Sequence, residues 1–204
     1  MSQNRFAMAG LTNDGTSVRT VGCAGSPVRA FLCGEATVEV ETGKSASDTV
    51  LGGFLKETGD PIGLPSVKRF AVRDKLRIDV NSELPIIYLD SELRIGFPDL
   101  VEENVPAMTV RQHRLLRSSM DRSILADLGD RNFPEIRKAR VSFAHVFEFL
   151  KVADRSKDFI FYVENARGLA YAINAFWFRK GWNIKASPVS YPRVWCPGNY
   201  IISH

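Results

Sequence analysis

Short runs of alternating or continuous apolar residues along the chain predict β-strands. KLRIDV and LPIIYLD lie between residues 75 and 90, and FIFYV, from Phe159 to Val163, is bracketed by charged residues. Such a continuous run is typical of a strand that is buried on both faces. NIKASPV predicts another strand, and the apolar tail after Tyr191 predicts a final strand or a tucked segment. LRIGFPDL is expected to be an edge strand or a loop, because Pro98 interrupts it.

Three stretches have the spacing of an amphipathic helix, with apolar residues three or four positions apart. They predict helices over about 110–128, 141–154 and 168–181, the first and last ending at Gly129 and Gly181. The apolar positions are Leu116, Met120, Ile124 and Leu128 in the first stretch, Phe143, Val146, Phe147 and Leu150 in the second, and Leu169, Ile173, Phe176 and Trp177 in the third. His145 lies beside the second stripe and is interpreted as a structural imidazole.

Together these elements predict an α+β or α/β fold, in which a mixed β-sheet is flanked by about three helices. Residues 1–60 are rich in Gly, Ser and Thr and carry short alternating runs such as ATVEVET, so we expect a β-rich appendage there. Residues 61–204 are expected to form the α/β core, with one compact domain overall.

The composition, with 45% hydrophobic and 25% charged residues over 204 positions, is that of a globular chain. No apolar run approaches the roughly 18 to 20 residues that span a membrane, and the N-terminus lacks the apolar segment of a signal peptide. We therefore expect a cytoplasmic protein with no membrane partner. Three cysteines without CxxC spacing and three scattered histidines indicate neither a disulfide framework nor a metal centre, so buried or idle thiols are expected.

Positive charge is concentrated in one part of the chain. Between Arg111 and Arg140 eight basic residues face four acidic ones, and the difference of +4 equals the net charge of the whole protein. A localised cationic surface of this kind attracts phosphate. The predicted nucleic-acid-binding residues are Arg111, Arg114, Arg117 and Arg122 on the first helix, and Arg179 and Lys180 beside the aromatic residues of the last helix. A merely solvated helix face is the alternative.

The turn between the FIFYV strand and the predicted last helix is a candidate anion site. Its phosphate-binding residues are predicted to be Asn165, Ala166, Arg167, Gly168 and Leu169. The first amides of a helix lack intrahelical partners and carry part of the positive helix dipole, and an arginine adds a forked contact. In the alternative interpretation Asn165 caps the helix and Arg167 pairs with Glu164 or another carboxylate.

The order of apolar strand, acidic residue, polar turn with arginine, Leu-Ala-x-Ala, helix, glycine and strand resembles the nucleotide-binding segment of the ParB and sulfiredoxin superfamily. The resemblance covers about 30 residues around Val163 to Ala172. It implies a ParB/sulfiredoxin-like strand-helix-strand unit near the C-terminus and a nucleotide, with Mg²⁺, as the cofactor. The family's His-Arg pair corresponds to Arg167 and Gly168 here, so binding without hydrolysis is an open alternative.

Candidate catalytic residues are the three acidic side chains near predicted strand ends, Glu164, Asp79 and Asp90. Converging carboxylates of this kind bind Mg²⁺ and activate a water, as in a DNA nuclease. The Thr42–Ser45 run ends like a P-loop, but Val38 stands where the first glycine is required. A hydrolase triad assembled from distant positions stays open, although no local motif marks one.

Two functions follow as hypotheses. In the first, the chain is a ParB-like protein that binds a nucleotide or nucleic-acid phosphate at the turn after Glu164, with or without nuclease activity. In the second, it is a non-enzymatic inhibitor or adaptor, such as a plasmid- or phage-encoded inhibitor, that docks on a protein partner. Whether the chain is an enzyme is left open at this stage.

Overall fold

A computed structural model of the chain describes residues 53–130 and 136–204. The strands are β1 (Leu55–Glu57), β2 (Ile62–Leu64), β3 (Val67–Ala71), β4 (Ile86–Leu89), β5 (Val101–Val105), β6 (Met108–Leu115), β7 (Ser119–Met120), β8 (Asp158–Glu164), β9 (Ala170–Phe178), β10 (Gly181–Pro188), β11 (Val194–Trp195) and β12 (Tyr200–Ser203). The helices are α1 (Val72–Lys75), α2 (Ser91–Gly96), α3 (Asp121–Asp127) and α4 (Phe143–Val152).

An eight-stranded mixed sheet organises the fold. Its order is β1–β6–β12–β8–β9–β10–β4, with β2 also paired to β6. β12 runs parallel to β8 and β4 parallel to β10, while the other neighbours are antiparallel. Two-stranded sheets form between β3 and β5 and between β7 and β11. The prediction of an α+β fold with a mixed sheet is confirmed at this level, and strands rather than helices dominate it.

The helix α4 covers one face of the sheet. The Phe149 ring packs edge-on against Phe159 and Phe161, at centroid distances of 5.0 and 5.4 Å. The helix starts where the Ser142 hydroxyl accepts a hydrogen bond from the His145 amide. Its stripe, Phe143, Val146, Phe147 and Leu150, is buried as predicted. The local capping signal and the tertiary packing therefore both favour a helix here. The prediction of a helix over 141–154 is confirmed by α4.

The opposite face of the sheet carries a second, smaller core. Ile124 and Leu125 of α3 are buried there with Ile160 of β8 and Trp195 of β11. Both faces of β8 are thus covered, which explains why each of Phe159 to Val163 is buried. The predicted strands at FIFYV, LPIIYLD, NIKASPV and the C-terminal tail are confirmed as β8, β4, β10 and β12.

The prediction of a single helix over 110–128 is wrong in its first half. That stretch forms β6, β7 and only then α3. Leu116 and Met120, which gave the four-residue spacing, are each 50% exposed, whereas Val110 and Leu115 of β6 are fully buried. β6 is held by pairing with β1, β2 and β12, all distant in sequence, and this pairing overrides the local periodicity.

The prediction of a helix over 168–181 is also wrong, because Ala170–Phe178 forms β9. β9 is paired along its length with β8 and β10, and Ala170 to Phe176 are all buried. Gly181 does not cap a helix. A Cβ there would lie 2.7 Å from Ile87 Cγ2 and 2.8 Å from the Pro85 carbonyl oxygen, so the glycine permits β10 to approach β4.

Two shorter predictions are wrong in whole or in part. KLRIDV is not a strand, because Lys75 ends α1 and only Asp79 pairs, in an isolated bridge to Ile86. LRIGFPDL begins in α2, which ends at Gly96, and only its second half, Phe97 to Leu100, is the predicted loop. The expected N-terminal appendage lies mostly outside the described residues. No helix in the described ranges is both long enough and apolar enough to cross a membrane. Cys196 is disulfide-bonded, so the expectation of an idle thiol is wrong there.

Candidate functional site

The turn after Glu164 is a β-hairpin connection between β8 and β9, without a helix. Asn165 Oδ1 accepts hydrogen bonds from the amides of Arg167 and Leu169, at 2.9 and 3.0 Å. Gly168 closes the turn with a φ of 73°. Glu164 pairs with Arg140 at 2.7 Å, not with Arg167 as one sequence interpretation expected. The helix dipole that was to attract a phosphate is absent here, and two turn amides are already bound within the protein.

The three predicted catalytic carboxylates have separate partners. Asp79 pairs with Arg77 at 3.7 Å and accepts from the Asn81 amide at 2.9 Å. Asp90 caps α2 by accepting from the Glu92 amide at 3.1 Å. Across residues 53–130 and 136–204, no group of three His, Cys, Asp or Glu side chains is arranged to hold a metal ion. The fold therefore does not bring these carboxylates together as a metal centre.

The predicted nucleic-acid-binding residues do not share one surface. Arg111 and Arg114 both lie on β6, and because strand side chains alternate, they point to opposite faces. Arg111 is ion-paired with Glu57 at 2.7 Å, and the Arg117 guanidinium stacks on Phe54 at 4.3 Å. The remaining members are elsewhere: Arg122 lies on α3, and Arg179 and Lys180 form the turn between β9 and β10.

A groove between α1, α2 and the end of β4, which we call the arginine groove, is the first candidate site. It encloses about 400 Å³ and is lined by Val72, Arg73, Leu76, Arg77, Ile78, Leu89, Leu93, Arg94, Phe97, Pro98 and Asp99. Phe97 anchors its floor, with ring centroids 4.6 Å from Phe143 and 4.8 Å from Tyr171. Leu93 is buried beside it, because the Asp90 cap fixes α2 at this place. A cavity of this size with mainly apolar walls is typical of ligand sites.

The rim of the arginine groove is cationic and incompletely paired. Three arginines face one aspartate, Asp99, on its lining. Among the described residues Arg73 and Arg94 form no ion pair, and Arg77 has only its 3.7 Å contact with Asp79. Ile78, which lines the groove, is 54% exposed, and exposed apolar side chains also occur on the two elements beside it, Tyr88 (43%) on β4 and Ile95 (71%) on α2. The groove is therefore an apolar surface bordered by guanidinium groups, two of which have no ion-pair partner among the described residues.

The second candidate site, which we call the polar cavity, lies near β1, β6 and β12, at the end of the sheet opposite to β4. It also encloses about 400 Å³ and is lined by Gly53, Leu55, Glu57, Arg111, His113, Asp127, Leu128, Lys138, Ser203 and His204. His113 Nε2 lies 2.9 Å from Ser203 Oγ. Burial lowers the pKa of His113 below its ordinary value, against the opposing effect of Glu57. The imidazole is accordingly neutral near pH 7.

A buried polar cluster at Asp121 joins α3 to the sheet. Asp121 Oδ1 accepts from the Tyr162 hydroxyl at 2.8 Å and from Trp195 Nε1 at 2.6 Å. Burial raises the pKa of Asp121 to about 6, and burial together with the neighbouring Asp121 raises the pKa of Tyr162 well above its ordinary value. Asp121 Oδ2 and Ser119 Oγ are buried and have no hydrogen-bond partner in the described part of the chain.

Sequence reasoning missed the residues of the arginine groove. Arg77 lies in KLRIDV, which the sequence pattern predicts to be a strand, and no local signal singles out Arg73. Arg94 and Phe97 fell in the stretch that was interpreted as an edge strand or loop. The groove joins segments that are not adjacent in the sequence, so only the fold shows that these side chains meet.

No known protein family, curated protein or solved structure matches this chain. The ParB/sulfiredoxin resemblance accordingly stays a prediction, and the helix on which it was based is a strand.

Proposed function

We propose that this chain is a binding protein that docks an acidic, partly apolar segment of a partner protein in the arginine groove. The observation that carries the proposal is the pair of guanidinium groups, Arg73 and Arg94, without an ion-pair partner in the described residues beside an apolar floor. A guanidinium binds a carboxylate through two parallel hydrogen bonds and gives up its hydration more readily than an ammonium group. Acidic side chains next to apolar ones are therefore the complementary chemistry.

The exposed apolar residues around the groove support a macromolecular partner over a small molecule. Ile78 lines the groove and is itself 54% exposed, while Tyr88 and Ile95 are exposed residues of β4 and α2, the elements that form the groove, and do not line the cavity. A longer segment that extends from the cavity over β4 or α2 would cover such side chains, whereas a ligand confined to the cavity would leave them in water. Exposed apolar side chains mark interaction sites when they cluster, and tyrosine and arginine are enriched among the residues that dominate binding energy.

Nucleotide binding at the same groove is the second candidate function. The first sequence hypothesis placed a phosphate near Arg167, where the helix is absent, but the forked contact it required is available at Arg73 and Arg94. The two candidates differ in what covers the apolar walls. A nucleotide would bring a base into the cavity, and a protein segment would bring aliphatic or aromatic side chains.

Fluorescence anisotropy with defined probes tests both candidates. The probes are labelled 12-residue peptides that alternate Asp or Glu with Leu or Phe, matched peptides in which Lys replaces the acidic residues, labelled ATP with and without Mg²⁺, and a labelled DNA duplex. We expect the acidic peptides to bind and the lysine peptides not to bind. Arg73→Ala with Arg94→Ala should weaken acidic-peptide binding at least about tenfold, which corresponds to about 1.4 kcal/mol.

Arg69→Ala with Arg122→Ala is the matched control, because both arginines are exposed and neither lines the groove. This control should leave the affinity unchanged. Equal losses in the two double variants would mean that net charge, not the groove, drives binding. Binding of DNA whose affinity falls by roughly one logarithmic unit per phosphate and per tenfold increase in salt would favour the first sequence hypothesis instead.

A further inference from the structure

We propose that the polar cavity is a second, catalytic site, in which Ser203 Oγ attacks the carbonyl carbon of an ester and His113 Nε2 takes the serine proton. This cavity shares no lining residue with the arginine groove, so the inference is independent of the proposed docking function. It assigns an acyl-transfer activity to a pair of residues that no local sequence motif marks.

Strand pairing places a carboxylate, an imidazole and a hydroxyl on the same face of the sheet. Glu57 of β1 lies directly opposite His113 of β6, and Ile201 of β12 lies opposite His113 on the other side. Ser203 is two residues beyond Ile201 and therefore points to the same face of the sheet. The carboxylate, imidazole and hydroxyl thus lie on three adjacent strands. Glu57 is engaged by Arg111 at 2.7 Å, so the proposed catalytic unit is the His113–Ser203 pair, in which the imidazole acts as general base for the serine hydroxyl.

The distance between Ser203 Oγ and His113 Nε2, 2.9 Å, is that of a nucleophile and its general base. A base must be unprotonated, and burial keeps the pKa of His113 below its ordinary value. The charged and titratable groups that face the imidazole across the cavity are Glu57, Arg111, Asp127, Lys138 and His204. Their carboxylates oppose the effect of burial, and Arg111 reinforces it.

A second serine-histidine pair in the same chain shows what a purely structural pair looks like. Ser142 Oγ lies 3.0 Å from His145 Nδ1, but the same oxygen also caps α4 by accepting from the His145 amide. His145 Nε2 donates to the Pro106 carbonyl at 3.0 Å. Both side chains are therefore engaged in holding the fold. For Ser203 Oγ, the contact with His113 is the single hydrogen bond within the described ranges.

The cavity also carries positive charge beside the serine. Arg111, ion-paired with Glu57, is the direct cross-strand neighbour of Ser203, and Lys138 lines the same space. In the proposed reaction Lys138 is the cation available to stabilise the oxyanion of the tetrahedral intermediate. A space of about 400 Å³ has room for a short acyl group and a small leaving alcohol, so the substrate class is a small ester.

The reaction balances with water as the second reactant. A bond forms between Ser203 Oγ and the carbonyl carbon, and the bond from that carbon to the leaving oxygen breaks. His113 carries the serine proton to the leaving oxygen, which departs as an alcohol. Water then attacks the acyl-serine ester with His113 again accepting a proton, and this returns the free serine and a carboxylic acid.

The test uses a fluorophosphonate, which forms a bond between phosphorus and an activated serine oxygen with loss of fluoride. We expect the intact chain to gain one adduct by mass spectrometry, mapped to Ser203, and to hydrolyse p-nitrophenyl acetate. Ser203→Ala should abolish both results, and His113→Gln should slow labelling about 100-fold or more, because general bases contribute 10²- to 10⁴-fold. Ser142→Ala, the matched control, should still be labelled at Ser203.

The pH dependence of labelling in the unaltered chain does not depend on the folding of any variant. The rate should rise with pH and level off, with a midpoint below the 6.5 of an unperturbed histidine. Absence of an adduct, an adduct at another serine, or a rate independent of pH would each overturn the proposal. Circular dichroism of each variant verifies that a lost adduct does not come from a lost fold.

Discussion

Asp121 joins three elements of the fold through one buried carboxylate. Its Oδ1 accepts from Tyr162 of β8 and Trp195 of β11, while the residue itself opens α3. The residue is 2% exposed, and its Oδ2 has no partner in the described part of the chain. Removing an ionised carboxylate from water is costly, so burial makes the folded protein hold the Asp121 proton up to a higher pH than the unfolded chain does.

The raised pKa of Asp121 predicts that this residue makes the protein less stable as the pH rises, the reverse of the effect of a salt-bridged carboxylate. The pKa of Asp121 is about 6 in the folded protein and 3.8 ordinarily, so the folded state holds the proton between these values and the unfolded chain releases it. The stability contribution is fully present below pH 3.8 and is lost as the pH rises through 6. At about 1.4 kcal/mol per pKa unit, the loss is about 3 kcal/mol.

Asp121→Asn isolates this contribution, because the amide oxygen can still accept from Tyr162 and Trp195 but does not ionise. Urea unfolding from pH 4 to 7.5 should show the variant gaining stability relative to the unaltered chain as the pH rises. Parallel pH profiles for the two proteins would contradict the prediction.

At the scale of elements, the contrast between α4 and β9 shows what the sequence can predict. α4 was predictable because Ser142 and the stripe of Phe143, Phe147 and Leu150 are local signals that agree with the tertiary packing. β9 was not, because it is buried on both faces, and a helical spacing such as Ile173, Phe176 and Trp177 can be picked out of a nearly continuous apolar run although the chain forms a strand. The candidate sites were even harder to predict from the sequence, because the arginine groove and the polar cavity are each formed by segments that are distant in the sequence.

The approach of β10 to β4 gives a prediction at the same scale. Gly181→Ala places a methyl group 2.7 Å from Ile87 Cγ2 and 2.8 Å from the Pro85 carbonyl oxygen, so the strands must shift apart. We expect a loss of about 1–3 kcal/mol in the free energy of unfolding, measured with urea, as for other overpacked sites. Gly63→Ala is the matched control, because nothing lies within 4 Å of its added Cβ. Equal stability of the two variants would count against the close approach.

At the scale of the whole molecule, β12 connects the two halves of the sheet. It pairs with β6 on one side and with β8 on the other, and Ile201 and Ile202 are buried on opposite faces. No other strand in the described ranges joins β6 to β8. Four residues therefore hold the β1–β2–β6 part of the sheet to the β8–β9–β10–β4 part.

Truncation after Tyr191 should abolish folding, because it removes β11 and β12. The edges of β6 and β8 that pair with β12 would then be unpaired, and the two cores that contain Ile201 and Ile202 would be opened to water. We expect circular dichroism to show loss of cooperative thermal unfolding, and the chain to aggregate. Removing His204 alone, which lies beyond β12, is the control and should leave a cooperative transition. A truncated chain that stays monomeric and unfolds cooperatively would show that β12 is dispensable.

The position of β12 also constrains when the protein can fold during its synthesis. The ribosome makes β6 and β8 well before β12, the strand that lies between them in the sheet. Until β12 is made, β6 and β8 each have unpaired backbone groups along one side. Pairings between residues far apart in sequence form slowly, and unpaired strand edges of this kind are prone to aggregate by pairing with other chains. We therefore expect the nascent chain to depend on chaperones or on slow, dilute expression until Tyr200–Ser203 has emerged.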